Sequence, residues 1–359
     1  PDVAEAVLAR GDADLVSMAR PMLADAELVN KAFQDRSDEI NTCIGCNQAC
    51  LDHTFSGQMV SCLVNARACR ETEIKVAPAD VIKRIAVVGA GPSGLAFATI
   101  AAERGHSVTL FDAANSIGGQ FNLARQIPGK EEFDETLRYF GRMIELHNVD
   151  LRLNTRVTAD ALIAAGYDEV VVATGITPRS PNIEGIDHAK AVRYVDVITG
   201  KAVVGQKVAI IGAGGIGFDV AELITHAGVS AALDINIFAK EWGIDFENHP
   251  RGGVTGVEPV VASNGRDVFL LQRKASTVGK GLGKTTGWAH RITLQRRGVH
   301  MLAGVEYVAI DDAGLHIKKD GEAMLLPVDN VIICAGQEPN RTLHQQLTDL
   351  GLKTHLIGG

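Results

Sequence analysis

Aromatic residues make up only 5% of this 359-residue sequence, and positive charge is not in excess: 35 Lys and Arg stand against 43 Asp and Glu, a net charge of −8. A base-stacking surface needs aromatics, and a nucleic-acid or anionic-lipid surface needs cations, so neither a nucleic acid nor a membrane is expected as partner. No charged segment followed by an apolar core opens the chain, so no signal peptide is read and the expected compartment is the cytoplasm. The stretch from Ile85 to Ala102 is free of charge and long enough for a bilayer. Gly89, Gly91, Pro92, Ser93 and Gly94 interrupt it, however, and a buried strand, a glycine turn and a helix account for it better. An initiator Met is also missing. The chain opens on Pro1-Asp2 and stops at Leu356-Ile357-Gly358-Gly359, an apolar strand running into a glycine turn, so it is expected to be cut at both ends.

What is present suits buried cores: 46% hydrophobic and 22% charged residues, with 38 glycines. Residues 1–36 read as a helix carrying Val3, Ala6, Val7 and Leu8, a short buried strand Leu15-Val16-Ser17-Met18, and a second helix from Asp25 to Phe33. A strand followed by Ala19-Arg20-Pro21 is how a (β/α)8 barrel ends, and a short α/β extension accounts for the pattern about as well. Residues 37–78 lose regular periodicity and hold five of the six cysteines. From Ile85 strands and helices alternate, and the plan restarts after about 120 residues with the strand Val208–Ile211. A Gly-rich insertion that includes Pro250-Arg251-Gly252-Gly253 separates the helix ending at His226 from the strand Val268–Leu271, and a loop of that length is commonly functional or covering.

Two glycine turns carry the chemistry. In the first, Gly89, Gly91 and Gly94 lie between a strand and a helix, with Ser93 among them. The first glycine permits a tight turn, the second lets backbone approach a pyrophosphate, and the third allows helix and sheet to pack closely. Asp112, at the end of the next strand and about 20 residues on, is placed to accept from a ribose hydroxyl. In the second turn, Gly212, Gly214, Gly215 and Gly217 have the same context. No acid closes its second strand; Gln272-Arg273-Lys274 stands there, and a basic pair suits the 2′-phosphate of NADPH. The plainer alternative is that Arg273 and Lys274 are solvated surface charges.

Cys43, Cys46, Cys50 and Cys62 are spaced C-x2-C-x3-C-x11-C. Four close thiols outside an oxidising compartment point to metal. Three crowd one segment instead of forming two C-x2-C pairs, which favours an iron–sulfur cluster over zinc, with a purely structural thiol group third. Cys69 and Cys334 fall outside the pattern and read as core residues, and His53, His249 and His290 as isolated histidines without a catalytic role.

Two such glycine units, the second inserted in the first, resemble flavin disulfide reductase-like proteins. Gly118-Gly119-Gln120, Val172-Ala173-Thr174-Gly175 and Cys334-Ala335-Gly336 resemble that superfamily's phosphate-closing and strand-end motifs. With Thr42 to Cys50, Gly281 to Trp288 and the stretch Leu15 to Pro21, nearly the whole chain resembles the bacterial 2,4-dienoyl-CoA reductases. These are relatives of trimethylamine dehydrogenase with an old-yellow-enzyme barrel in front.

The resemblance implies an α/β fold class with two nested Rossmann-like dinucleotide-binding domains, preceded by the end of a (β/α)8 barrel and an iron–sulfur segment. The implied domains are a barrel remnant at 1–36, the cluster segment at 37–78, an FAD domain at 79–200 with a return at 333–359, and an NAD(P)H domain at 201–332. It implies electron flow from NADPH through FAD and a 4Fe-4S cluster to FMN in the barrel, and a small-molecule substrate of the enoyl-CoA class. Gly119, Gln120, Thr174, Gly175 and Gly336 join the cofactor-binding set on that basis, and Arg20 is tied to FMN. The residues that protonate the substrate belong to the barrel, so no catalytic acid is named. The competing readings are a sister reductase acting on another enone or amine, a stand-alone electron-transfer subunit, and a zinc-stapled structural module.

If Arg273 and Lys274 read a 2′-phosphate, NADPH reduces the bound flavin much faster than NADH does, and neutral substitutions at both positions erase the preference. Stopped-flow bleaching of the flavin band checks this, and equal rates with the two donors in the unaltered protein would refute it.

Overall fold

The computed structural model describes residues 1–248 and 256–359. His249 and the segment Pro250-Arg251-Gly252-Gly253 lie outside the described residues. The chain forms two compact units: one made of 1–122, 132–176 and 339–359, the other of 123–131 and 177–338.

The first unit begins with short helices α1 (Asp2–Ala9), α2 (Arg20–Ala24) and α3 (Leu28–Phe33), a 3-10 turn at Ser37–Glu39, and α4 (Leu51–Thr54). The strand expected at Leu15–Met18 is not found. Nothing pairs with it among the described residues, Leu15 is 81% exposed, and a lone extended segment has no ladder to satisfy its backbone. The helix expected from Asp25 to Phe33 starts three residues later, because the Asp25 side chain turns back to accept from the Glu27 N–H at 3.0 Å.

The dinucleotide-type part follows: β1 (Arg84–Val88), α5 (Pro92–Glu103), β2 (Ser107–Phe111), α6 (Phe121–Ala124), α7 (Phe133–Leu146), β3 (Asp150–Arg152), α8 (Ala159–Ala165) and β4 (Glu169–Val172). The charge-free stretch is thus a five-residue strand, a glycine turn and a twelve-residue helix opened by Pro92, as the glycine block predicts. No helix among the described residues is long and apolar enough to cross a membrane. At the far end of the chain α13 (Thr342–Asp349) and β15 (Thr354–Leu356) return, after the connecting elements given below, to complete a five-stranded parallel sheet ordered β15-β4-β1-β2-β3. Val87, Leu110 and Val171 lie side by side in its centre and are wholly buried.

Between β4 and α13 the chain runs through β5 (Ile176–Pro178), β6 (Ala191–Arg193), α9 (Tyr194–Ile198), β7 (Lys207–Ile211), α10 (Gly215–Thr225), α11 (Ile235–Trp242), β8 (Asp267–Leu271), α12 (Gly287–Arg296) and β9 (His300–Leu302). Then come β10 (Val305–Asp311), β11 (Gly314–Lys319), β12 (Glu322–Leu326), β13 (Asn330–Ile333) and β14 (Gln337–Pro339). A second five-stranded parallel sheet, ordered β6-β13-β7-β8-β9, repeats the plan of the first, with the strand that feeds the glycine turn in the middle. Residues 177–200, expected in the first domain, depart from that expectation: β6 pairs with β13, and Tyr194 lies in the second unit's core. Several elements were not anticipated, among them α8, β6, α9 and α13, and two more stand out. One is α11 inside the insertion, capped by Asp234 accepting from Asn236 and Ile237. The other is the antiparallel sheet β10-β11-β12, whose second turn, Asp320-Gly321, has positive φ at both residues.

Glu169, at the start of β4, accepts from Lys83, from Lys353 at 2.9 Å and from His355 at 2.8 Å, so one carboxylate pins the returning strand β15. The lysine hydrogen bonds hold its pKa down at about 2. A carboxyl with a depressed folded-state pKa stabilises the fold above its unfolded value and loses that contribution as pH falls through the folded one. Glu169→Gln is therefore expected to lower the melting temperature at pH 7 by about 2–4 °C. It should also flatten the acid limb of the stability curve between pH 4.5 and about 2. Superimposable acid limbs for the two proteins, followed by circular dichroism, would remove the role given to Glu169.

Candidate dinucleotide sites and a four-cysteine cavity

At both glycine turns a side chain is sterically forbidden in the same way. A Cβ on Gly89 would lie 2.3 Å from the Ala173 carbonyl oxygen, and one on Gly94 only 1.9 Å from the Gly89 carbonyl oxygen. In the second unit the corresponding distances are 2.4 Å from Gly212 to the Cys334 oxygen and 1.9 Å from Gly217 to the Gly212 oxygen. Gly89 and Gly212 also sit at φ +112° and +107°, where L side chains are strained. By contrast nothing lies within 4 Å of a Cβ on Gly91, Gly214 or Gly215. The turns are closed behind and open in front, where a phosphate would approach the first turn of α5 or α10.

Around the first turn a cavity of about 770 Å³ is lined by Gly89, Asp112, Thr155 to Asp160, Thr174 and Asn340. The Asp112 carboxylate accepts from the Ala90 N–H at 2.6 Å and the Ala114 N–H at 2.7 Å, which aims it across the mouth of the turn. Gly118 donates to the Ala90 oxygen at 2.7 Å, and a Cβ on Gly119 would meet the Gly91 Cα at 3.1 Å, so this loop covers the glycine turn. Gln120 beside it is exposed. Thr174 donates to the Asn340 oxygen at 2.8 Å and Gly175 accepts from the Asn340 N–H at 2.9 Å, joining the end of β4 to the returning chain. Ser93 lies under Gly358, whose Cβ would come within 2.4 Å of its hydroxyl. The shape and donor set fit the pyrophosphate and ribose of FAD.

The second cavity, about 750 Å³, is lined by the Gly212–Gly217 turn, Gln272, Arg273, Lys274, Lys280, Arg179, Tyr307 and Gly336, with no acidic residue among its walls. Arg273, Lys274 and Lys280 are exposed and form no salt bridge among the described residues. Tyr307 donates to the Leu271 oxygen at 3.1 Å, and burial pushes its pKa up to about 12, so it stays neutral. The residues present fit an anionic dinucleotide.

Behind this turn lie charged groups that local sequence pattern does not reveal. Lys130 and Asp219 pair at 2.6 Å and are largely buried, and His290 meets Glu222 at 2.7 Å. The Glu222 hydrogen bond raises the pKa of His290, and burial raises that of Asp219. Lys130 sits in the nine-residue stretch 123–131, which packs in the second unit through Ile127, 1% exposed. Only three-dimensional docking reveals that stretch, and only the fold brings Arg179 to the wall of this cavity. His290 is thus a salt-bridged residue and not an isolated one, while His53 bonds the Met59 oxygen at 3.0 Å.

Cys43, Cys46, Cys50 and Cys62 all line one small cavity in the first unit, together with Arg20 and Asn47. Among the described residues no three His, Cys, Asp or Glu gather tightly enough to hold a single metal ion; the four thiols instead surround the cavity. Positive φ at Gly45 and Asn47 coils the first three cysteines about the loop. The Gln48 N–H bonds Cys46, and those of Val64 and Asn65 bond Cys62, opposing the upward pKa shift that burial imposes on both thiols. Such a donor set fits a cluster with bridging sulfides. Arg138 on α7 anchors the segment by donating to the Asp38 oxygen at 2.5 Å and the Ile40 oxygen at 2.6 Å. Arg20 donates to Asn47 at 2.6 Å. Cys69, expected in the core, is exposed at φ +62°, held on a turn by its N–H bond to Glu71. Cys334 is partly buried at the wall of the second cavity, where burial raises its pKa strongly.

Two Rossmann-type units with phosphate-ready glycine turns define a flavin- and NAD(P)-dependent oxidoreductase. The family model for pyridine nucleotide-disulphide oxidoreductases matches residues 39–161 and 83–358, and the chain belongs to that family. A metal reductase of Desulforamulus reducens is 33% identical over 97% of this chain and 51% of its own length. A cinnamate reductase of Clostridium sporogenes is 34% identical over 65% of this chain and 35% of its own. A solved 2-naphthoyl-CoA reductase in complex with 2-naphthoyl-CoA is 30% identical, with a TM-score of 0.85, covering 100% of this chain and 49% of that one. The chain spans about half the length, or less, of these relatives.

Gly94→Ala should strip flavin from the purified protein, and Gly217→Ala should leave flavin bound while abolishing reduction by NAD(P)H. The ratio of flavin to protein absorbance reads the first effect; a full flavin complement in the Gly94→Ala protein would disprove the assignment of that turn.

Proposed function

We propose that this chain is the electron-delivering half of an NADPH-dependent flavin and iron–sulfur reductase. In this reading FAD is held by residues 79–200 with the return 333–359, NADPH by 201–332, and a 4Fe-4S cluster by Cys43, Cys46, Cys50 and Cys62. The compact units group residues 123–131, 177–200 and 333–338 with the NADPH side instead. NADPH supplies a two-electron hydride, the flavin can accept two electrons and release them singly, and a cluster carries one at a time. The observation that carries the proposal is the four-thiol cavity in the same compact unit as the first glycine turn.

The chain's own residues have separable roles. Gly91 and Gly214 leave room for phosphate, and the helix N-termini behind them stabilise its charge. Asp112 accepts from a ribose hydroxyl, whereas Arg273 and Lys274 neutralise a 2′-phosphate. The Gly118-Gly119 loop, with Gln120, excludes water from the first turn, and Thr174, Gly175 and Gly336 end the strands close to the bound groups. Arg20, bonded to the cluster loop, belongs to the end of an FMN-binding barrel that residues 1–36 would complete.

For the whole protein we take the substrate to be a conjugated enoyl-CoA thioester, 2,4-dienoyl-CoA foremost. The likeness to a 2-naphthoyl-CoA reductase and to a cinnamate reductase supports reduction of a conjugated acid derivative. Anaerobically purified protein should contain about four iron and four acid-labile sulfide per chain. Cys46→Ser should keep NADPH-driven flavin bleaching but lose electron passage to a one-electron acceptor. Zinc at one per chain without sulfide would overturn the cluster.

A further inference from the structure

The cation set of the second cavity contains one arginine to which the sequence motifs give no role. Arg179 stands one residue past β5, is exposed, and makes no salt bridge among the described residues. Its guanidinium is nevertheless fixed: Nε and Nη2 both donate to the Ala335 oxygen, at 2.9 and 2.5 Å. A Cβ on Gly336 would lie 3.4 Å from the same two nitrogens, so the plane of the group covers that glycine. A guanidinium has five N–H donors in a rigid fork, and the remaining ones are left for a ligand.

The position of Ala335 says which part of a dinucleotide they meet. The preceding residue, Cys334, abuts the glycine turn itself, its carbonyl oxygen 2.4 Å from where a Gly212 Cβ would be. Arg179 is therefore held beside the turn; Arg273 and Lys274 reach the same cavity from the end of β8, on another strand. The turn is where a helix N-terminus meets the pyrophosphate, a group shared by NADH and NADPH. The first turn of α10 carries no acid, and Asp219, further along the helix, is paired with Lys130; Glu306 shares a cavity wall with Arg179 but forms no salt bridge with it among the described residues.

We propose that Arg179 binds the dinucleotide pyrophosphate, which makes it a second recognition element separate from the 2′-phosphate pair Arg273 and Lys274. The proposal rests on the reading of this cavity as the nicotinamide-dinucleotide site. The cations then act separately, with Arg179 setting affinity for both nucleotides and the pair setting preference between them.

The test is equilibrium binding of NADPH and of NADH to the flavin-loaded protein, by fluorescence or calorimetry, with variants at the two places. Arg179→Gln keeps a donor for the Ala335 oxygen and removes the charge. It should weaken both nucleotides by the same factor, about ten- to a hundredfold. Arg179→Lys, which keeps the charge, should recover much of the loss; Arg273→Gln should weaken NADPH alone. Unchanged Kd values in Arg179→Gln, or a loss confined to NADPH, would overturn the assignment to the pyrophosphate. If Arg179→Gln does not fold, Arg179→Met decides: a weaker Kd for both nucleotides with a shallower salt dependence than the unaltered protein supports the proposal, and an unchanged Kd for both refutes it. Failure of the unaltered protein to bind either nucleotide would instead remove the site on which the proposal stands.

Discussion

Two glycines that touch each other's backbone decide much of this molecule. Where the helix leaves each glycine turn, the Cα of Gly94 or Gly217 is so close to the carbonyl of Gly89 or Gly212 that no side chain fits. That closeness seats the helix on its sheet and brings its N-terminus to the edge where β1 or β7 ends. Everything at the candidate sites is arranged around it. Ala173 and Cys334 end the neighbouring strands against the first glycine of each turn, and the loop Gly118-Gly119 lies over the open side of one of them. The parallel order of each sheet, with the turn-feeding strand central, puts a crevice at the strand ends, the place where such sheets bind ligands.

The same backbone device then diverges by charge. Asp112 is locked by two backbone N–H groups and faces the first crevice as an acceptor. The second crevice has no acid in its walls and holds Arg179, Arg273, Lys274 and Lys280. An anion's contribution to binding depends on what surrounds it more than on the fold, so two nearly identical turns offer a ligand different charge environments. The buried pairs Lys130–Asp219 and His290–Glu222 serve this indirectly. They neutralise carboxylates on the face of α10 that would otherwise place negative charge behind the phosphate-binding end.

The cysteine segment has little regular structure of its own, so side chains hold it. Arg138 grips two backbone carbonyls, Asn41 donates to the Val64 oxygen at 2.8 Å, and Asp25 accepts from the Asn41 N–H at 2.9 Å and from Lys31 at 2.7 Å. These bonds bring Cys62 to the wall that Cys43, Cys46 and Cys50 already line. Four thiols on one cavity make a donor set suited to a cluster.

Local pattern alone determined the glycine turns, the strands and helices beside them, Asp112 and the Arg273-Lys274 pair, because each depends on a few consecutive residues with a fixed backbone requirement. The Asp320-Gly321 hairpin carries the same kind of local signal, although the sheet it closes was not anticipated. Leu15–Met18 has a strand's composition but no ladder, since pairing is a property of two segments and a sequence window shows one. Only the tertiary structure decided that residues 177–200 join the second unit, that Lys130 reaches Asp219, and that Arg179 lies beside the second glycine turn. Those facts rest on contacts between residues some ninety to a hundred and sixty positions apart, which follow from how sheets and helices pack and leave no periodic trace in the chain.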